Sequence, residues 1–208
     1  DVYKRQLVNT QNVIIVVIDG ARYTETFGDY NRTYIPKMTQ LSAQGTYLDN
    51  FQNDGFTVTA RAIPELWCGI WTEVRDTVYN GISTKYAVSP SIFEHFQKKK
   101  NPTANKNVYV LKYLNSLWLQ SFHPDYGPAY WPKTFLNGSS DVDVLNKTIQ
   151  VMEDYEPQFL WVYLADVDAA GHSGNWQYYL NTIKTADSIV DVIWNKVQQI
   201  DYYRDNTT

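Results

Sequence analysis

The stretch NVIIVVIDG, residues 12–20, decides how this chain is read: six consecutive β-branched apolar residues, Val13 to Ile18, are followed at once by Asp19 and Gly20. A run with no polar alternation suits a strand covered on both faces, the pattern of a parallel sheet. Outward from it, Pro36 suits the first turn of a helix whose face carries Met38 and Leu41 and whose end fits Gly45. Thr46 to Phe51 reads as a second strand. A helix is expected to follow Thr59, with Pro64 tolerated as a first-turn residue. Ser89-Pro90 opens a third helix through Phe96, and Val108 to Leu111 is strand-like. Leu145, Ile149 and Met152 mark a helix, Phe159 to Leu164 a further apolar strand. The last helix runs from about Trp176 to Gln199, with Ile183, Ala186, Val190, Ile193 and Val197 on one face.

Strands and helices alternate, so the expected fold class is α/β, a mostly parallel sheet with helices on both faces. Ligands of such sheets gather beyond the carboxyl ends of the strands, where Asp19 and Asp168 both stand. No internal repeat is visible. The segment Tyr113 to Phe135 breaks the alternation and mixes Trp118, Phe122, Tyr126, Tyr130 and Trp131 with prolines. It is either a packed aromatic loop or a substrate-facing insertion, since aromatic faces stack on sugars and bases. After the last helix the sheet is expected to gain another strand, whereas Asp201 to Thr208 is polar. The expected organisation is a poorly defined lead, residues 1–11, and one partial domain, residues 12–208, truncated towards its C-terminus.

With 208 residues, 44% of them hydrophobic and 19% charged, the chain can bury a core of its own. The net charge of -4 has no basic stripe to offset it, and Lys98-Lys99-Lys100 suits the C-terminal end of a helix. Nucleic acid is therefore not an expected partner. The single Cys68 excludes an internal disulfide framework and sits in an apolar run that suits a buried thiol. No apolar run approaches the roughly 20 residues that cross a bilayer, and the polar start Asp1 to Gln6 is no signal peptide. Asn-x-Ser/Thr triplets begin at Asn31, Asn137, Asn146 and Asn206; they matter only in a eukaryotic secretory pathway.

The chemistry is carried by three blocks. Asp19 closes the first strand; it is not the first acid of a DxD pattern, since position 21 is Ala, and no glycine-rich phosphate loop follows. Within NDGFTVTARAIPELWCGIW, residues 53–71, Thr59 stands at the start of a helix. There, free N–H groups and the positive dipole end favour an alkoxide and a phosphate, although a helix cap needs the same position. Thr57 is the competing hydroxyl, and Arg61 is placed to fork to phosphate oxygens. Asp168 and His172 are four apart; a turn through Gly171 brings carboxylate and imidazole, both ordinary zinc ligands, onto one cation. His95 reads as a surface residue and His123 as structural.

Taken together, Val16-Val17-Ile18-Asp19-Gly20-Ala21-Arg22, then Thr59 with Gly69 ten residues on, then Asp168-Ala169-Ala170-Gly171-His172 resemble the first metal-site blocks of the alkaline phosphatase superfamily. The nearest likeness is to its type I phosphodiesterase and nucleotide pyrophosphatase branch, over about Asn12 to Asp187. The resemblance implies an alkaline phosphatase-like fold and a hydrolase of phosphate esters. Two zinc ions are implied, one on Asp19 and Thr59, the other on Asp168 and His172, with Thr59 forming a phosphoryl-threonine later cleaved by water. It also favours an extracytoplasmic or periplasmic location.

Departures are as specific. The family's next block, Asp-His-Gly, and its distant last His are not in these residues, so each ion is short of ligands and residues 1–208 alone are expected to turn over no ester. Arg61 and Ala62 stand where the phosphodiesterase branch often has Pro and Asn, and Thr59-Ala60-Arg61-Ala62 lacks the Cys/Ser-x-Pro-x-Arg of sulfatases. A sulfatase-like or phosphonate hydrolase on the same scaffold is the second enzymatic reading. A non-catalytic α/β module, binding a glycan or protein through its aromatic loop, is the alternative from another class.

Overall fold

The computed structural model describes residues 10–52, 55–113 and 118–208. Most of the N-terminal lead, Asn53 and Asp54 of the quoted block, and residues 114–117 of the aromatic segment lie outside the described residues. Four strands, β1 (Val13–Ile18), β4 (Asn107–Leu111), β5 (Lys133–Leu136) and β6 (Phe159–Leu164), form one parallel sheet in the order β1-β6-β4-β5. The helices are α1 (Pro36–Ser42), α2 (Thr59–Cys68), α3 (Ile92–Lys100), α4 (Asp141–Tyr155), α5 (Asp166–His172) and α6 (Trp176–Gln199). The fold class is α/β with a parallel central sheet, as the alternation predicts.

Strand residues alternate between two cores. Val108, Val110, Leu160, Val162 and Leu164 pack with side chains of α4, α5 and α6. Tyr109, Leu111, Phe159, Trp161 and Tyr163 pack instead with Ile63 and Trp67 of α2 and Phe93 of α3. The same parity sends Val13, Ile15 and Val17 to the α2 face. Since β6 inserts beside β1, with Val17 opposite Tyr163, the end of β1 comes to lie next to the turn into α5. That insertion brings residues 19 and 168 together.

Several local expectations are corrected. Residues 46–51 form no strand: Leu48 and Phe51 are exposed and no ladder reaches them. Instead β2 (Val74–Tyr79) and β3 (Ile82–Ala87) make a separate antiparallel hairpin, turning through Asn80 and Gly81, both at positive φ, as an Asn-Gly hairpin turn requires. The third helix begins after Ser91, not at Ser89-Pro90, because Ser91 and Glu94 form a reciprocal capping box. It runs on to Lys100. Pro64 lies inside α2, beyond the first turn. β1 is half-buried at a sheet margin and not covered on both faces. The polar tail, expected outside the sheet, lies along that margin: Asn206 O accepts from Asn12 N at 3.0 Å, and Ile14 N donates to Thr208 O at 2.9 Å. Backbone pairing is indifferent to the polarity that argued against it.

The aromatic segment is packed. Tyr79 of the hairpin meets Trp118 and Trp131, each at 5.5 Å, and Phe122 meets Tyr86 edge-on at 4.9 Å. Glu94, fully buried, accepts hydrogen bonds from Gly127 N and the Ser121 hydroxyl and pins the loop to α3. The segment also supplies β5, the other margin of the sheet. Cys68 is half-buried, donates to Ser89 O, and burial pushes its thiol up to about 12. On the opposite face of the sheet, α1 begins without a side-chain cap from its own N-cap residue, Ile35. Its first N–H groups, at Lys37 and Met38, donate at 3.0 and 2.8 Å to the buried carboxylate of Asp187 on α6.

Candidate active site

Asp19 follows β1 with the parity of the α2 face, the face on which α2 presents its first residue. Thr59 Oγ1 donates to Asp19 Oδ2 at 3.0 Å, and the Tyr163 hydroxyl donates to the same oxygen at 2.6 Å. The N-cap of α2 is Val58, and no side chain caps the helix. The hydroxyl of Thr59 is therefore committed to a carboxylate across the sheet end, not to its own helix. Thr57 is exposed and lies before the helix. Gly69, at φ +67, ends α2 in the left-handed conformation that a glycine supplies.

Asp168 and His172 do not sit on a turn, as expected, but one helical turn apart on α5, with Nε2 of His172 3.4 Å from Oδ1 of Asp168. The imidazole side chain is 81% exposed and the carboxylate 33%. Gly20, at φ +76, lies so close under α5 that a Cβ there would stand 2.5 Å from the Asp168 Cα. The Asp19–Gly20 turn and Asp168 are thereby packed backbone to backbone. Burial, and next the neighbouring charge of Asp19, push the Asp168 carboxyl above its ordinary range, while His172 and Lys112 act the other way.

The start of α5, which carries Asp168, is held by a network that sequence reading passes over. The buried carboxylate of Asp141 accepts from Ala165 N and Asp166 N at 2.8 and 3.0 Å. Asp166 returns the contact, accepting from Asp141 N at 2.7 Å and from Lys112 Nζ at 2.8 Å. Two acids thus satisfy each other's backbone at the starts of α4 and α5. Tyr163 escapes notice for a different reason: in sequence it is one more aromatic residue in an apolar strand. The register of β6 against β1 is what marks it.

A cleft of about 310 Å³ opens beside Asp168 and His172, bounded by Gly20, Arg22, Trp176 and Tyr179. Arg61, the arginine expected at the phosphate, faces a different cleft, with Phe56, Glu65 and Trp71; its guanidinium lies 4.4 Å over the Phe56 ring. The positions α2 gives to residues 59 and 61 explain this. Two residues along a helix turn the side chain by more than half a revolution, so the element that aims Thr59 at Asp19 aims Arg61 away.

Residues 128–203 match the model of the Metalloenzyme superfamily. No curated protein matches the chain. The matched segment runs from before β5 into the tail after α6 and includes Asp168 and His172 but neither Asp19 nor Thr59. The match supports a metal-dependent enzyme of alkaline phosphatase-like fold, and the parallel sheet agrees with it. It does not single out the nucleotide pyrophosphatase branch.

The donor set suits a cation in part. Two carboxylates close enough for one to raise the other, a hydroxyl and an imidazole are hard or borderline donors, and a cation between the acids would relieve their repulsion. They come as two pairs. Among the described residues no group of three or more His, Cys, Asp or Glu side chains gathers as a closed metal centre would. Nor is any helix among them long and apolar enough to cross a membrane.

Proposed function

We propose that the protein is a metal-dependent hydrolase of phosphate esters, diesters ahead of monoesters, acting through a phosphoryl group carried transiently on Thr59. The single observation behind this reading is the 3.0 Å hydrogen bond from Thr59 to Asp19, made by a residue at the first position of a helix whose hydroxyl does no capping. A hydroxyl aimed at a carboxylate already points its proton at an acceptor, the requirement for an oxygen nucleophile. Asp19 and Thr59 would hold one ion and Asp168 and His172 a second, both zinc in this reading. Bound there, the ions supply charge that lowers the threonine's pKa and offsets the charge on the phosphoryl oxygens.

The remaining steps belong to the chain's own groups. Thr59 Oγ1 forms the new bond to phosphorus as the bond to the ester oxygen breaks, and the departing alkoxide takes a proton from solvent to leave as the alcohol. The threonine proton leaves along the hydrogen bond to Asp19. Tyr163 keeps its own bond to Asp19 and holds that carboxylate in place after the threonine bond is gone. Burial and Asp19 push the Tyr163 hydroxyl up, so it stays a protonated donor across the working pH range. Water then attacks phosphorus, the bond to Thr59 Oγ1 breaks as that oxygen regains a proton, and a phosphate monoester is released from a diester or inorganic phosphate from a monoester.

The test is hydrolysis of bis(p-nitrophenyl) phosphate and p-nitrophenyl phosphate by the protein as its native cell makes it. Activity should be lost to a chelator and restored by zinc, and acid-quenched protein should carry phosphate on Thr59 by peptide mass spectrometry. Phosphate trapped on another residue would overturn the assignment of Thr59. Neither turnover nor bound zinc would return the chain to a non-catalytic module.

A further inference from the structure

The cleft beside Asp168 contains a wall that the reaction above leaves without a task. Trp176, the first residue of α6, stacks on Tyr179 with ring centroids 5.4 Å apart and planes 28° apart, and the Arg22 guanidinium lies 5.6 Å from the centroid of the Trp176 ring. Tyr179 is buried, whereas Trp176 is half exposed. The Tyr179 hydroxyl ties this wall to the site: it accepts from Arg22 N and donates to Gly20 O, both at 2.9 Å. Gly20 is the residue packed against Asp168. The arginine is therefore anchored at its backbone, next to the residues that would hold the phosphoryl group.

Its side chain is steadied as well. Arg22 Nε lies 3.2 Å from Glu25 Oε2, which leaves the outer edge of the guanidinium with no other acceptor among the described residues. A planar cation beside an aromatic ring, lining a cleft and with no other acceptor on its terminal N–H groups among the described residues, is a receptor for an oxyanion. The neighbouring acids would repel such an anion, so it must sit at the Arg22 end while the phosphoryl group sits at the Asp168 end. A cleft of about 310 Å³ is near the lower limit of small-molecule sites and admits one ring or a chain of similar size between the two.

We propose that Arg22 and Trp176 form a leaving-group subsite, selecting phosphate esters whose alcohol part is flat or compact and carries a second oxyanion, a carboxylate or a further phosphate. The proposal rests on the phosphate-ester reading of the site. Arg22 reads the anion and Trp176 covers the group that bears it. Arg61, in its separate cleft, takes no part.

The experiment compares phenyl, 4-carboxyphenyl and 4-phosphonooxyphenyl esters, each as the phosphate monoester and the methyl phosphodiester, with wild type, Arg22→Met and Arg22→Lys. Wild type should favour the anionic leaving groups over phenyl in kcat/KM, and Arg22→Met should reduce that preference by about two- to fivefold, the range of a solvent-screened ion pair. Arg22→Lys, which keeps the charge but not the fork, should retain part of it. The two anionic esters separate a carboxylate reader from a phosphate reader. Independently of turnover, 4-hydroxybenzoate and 4-hydroxyphenylphosphonate, which carry no phosphate ester bond, should quench tryptophan fluorescence in wild type and not in Arg22→Met, with unchanged melting temperatures. No turnover of any ester with Arg22-dependent quenching would overturn the hydrolase reading and keep the subsite. Absence of both the preference and the quenching, or their full survival in Arg22→Met, overturns the subsite.

Discussion

The two halves of the candidate site are built in opposite ways. Asp19 and Thr59 are forty positions apart and meet only because β1, β6 and α2 assemble, with Tyr163 supplying a further bond from 144 positions away. Asp168 and His172 are neighbours on one short helix; the imidazole faces solvent while the carboxylate is partly buried. The first half is half-buried and fixed by hydrogen bonds before any ligand arrives. The second is proximity written into helical spacing, with an exposed imidazole paired to the carboxylate one helical turn before it. One half therefore reports on the tertiary fold and the other on helical spacing.

Three sets of substitutions would sharpen or break that contrast. The largest effect is expected at Thr59. Thr59→Ala should lower phosphate-ester turnover about a thousandfold or more, Thr59→Ser should keep a measurable part, and Thr57→Ala should be mild. Near-normal rates in Thr59→Ala would remove the buried half from the chemistry. In the exposed half, Asp168→Asn and His172→Ala should each weaken zinc binding by about ten- to a hundredfold, scaled from the metal-site losses caused by removing supporting contacts. Melting temperatures should hold, since the sheet does not depend on either side chain. Competition with a chromophoric chelator measures the first and calorimetry the second; unchanged zinc affinity in both variants would leave Asp168–His172 a simple helix pair. The smallest effect is expected from Tyr163→Phe, which removes one hydroxyl from a fully packed ring. About a tenfold loss of zinc affinity with native stability would show Asp19 to be held by Tyr163 for its function. A fall in stability alone would make that bond structural.

The same contrast governs what could be read beforehand. β6 and α6 were legible to the residue, because a six-residue apolar run and a long helical period are local signals. The Asn-Gly turn of the hairpin was also a local signal, yet strands as polar as Val-Arg-Asp-Thr-Val-Tyr hide behind it. β5, four residues long, has too little pattern to register. Thr46 to Phe51 had strand-like residues and no neighbour to pair with; propensity without a partner makes no strand. At the site, Thr59 was visible as a helix start and Asp168 with His172 as a spacing. Tyr163, Asp141 and Lys112 were not, since each acts through a contact that the sheet order creates. Arg61 was picked out for standing two residues from Thr59 in sequence, and helical rotation turns it into another cleft.

Asp187 sets a timetable for the molecule. α1 has seven residues, well short of the roughly 12–15 at which an isolated helix becomes even marginally stable in water. The carboxylate that meets its first N–H groups is supplied about 150 positions later in the chain. As a ribosome delivers the protein from its N-terminus, residues 36–42 have nothing to hold them until α6 has emerged and docked. The α1 flank of this sheet face thus closes only after α6 has docked. Until then that side of the sheet stands open to chaperones and proteases.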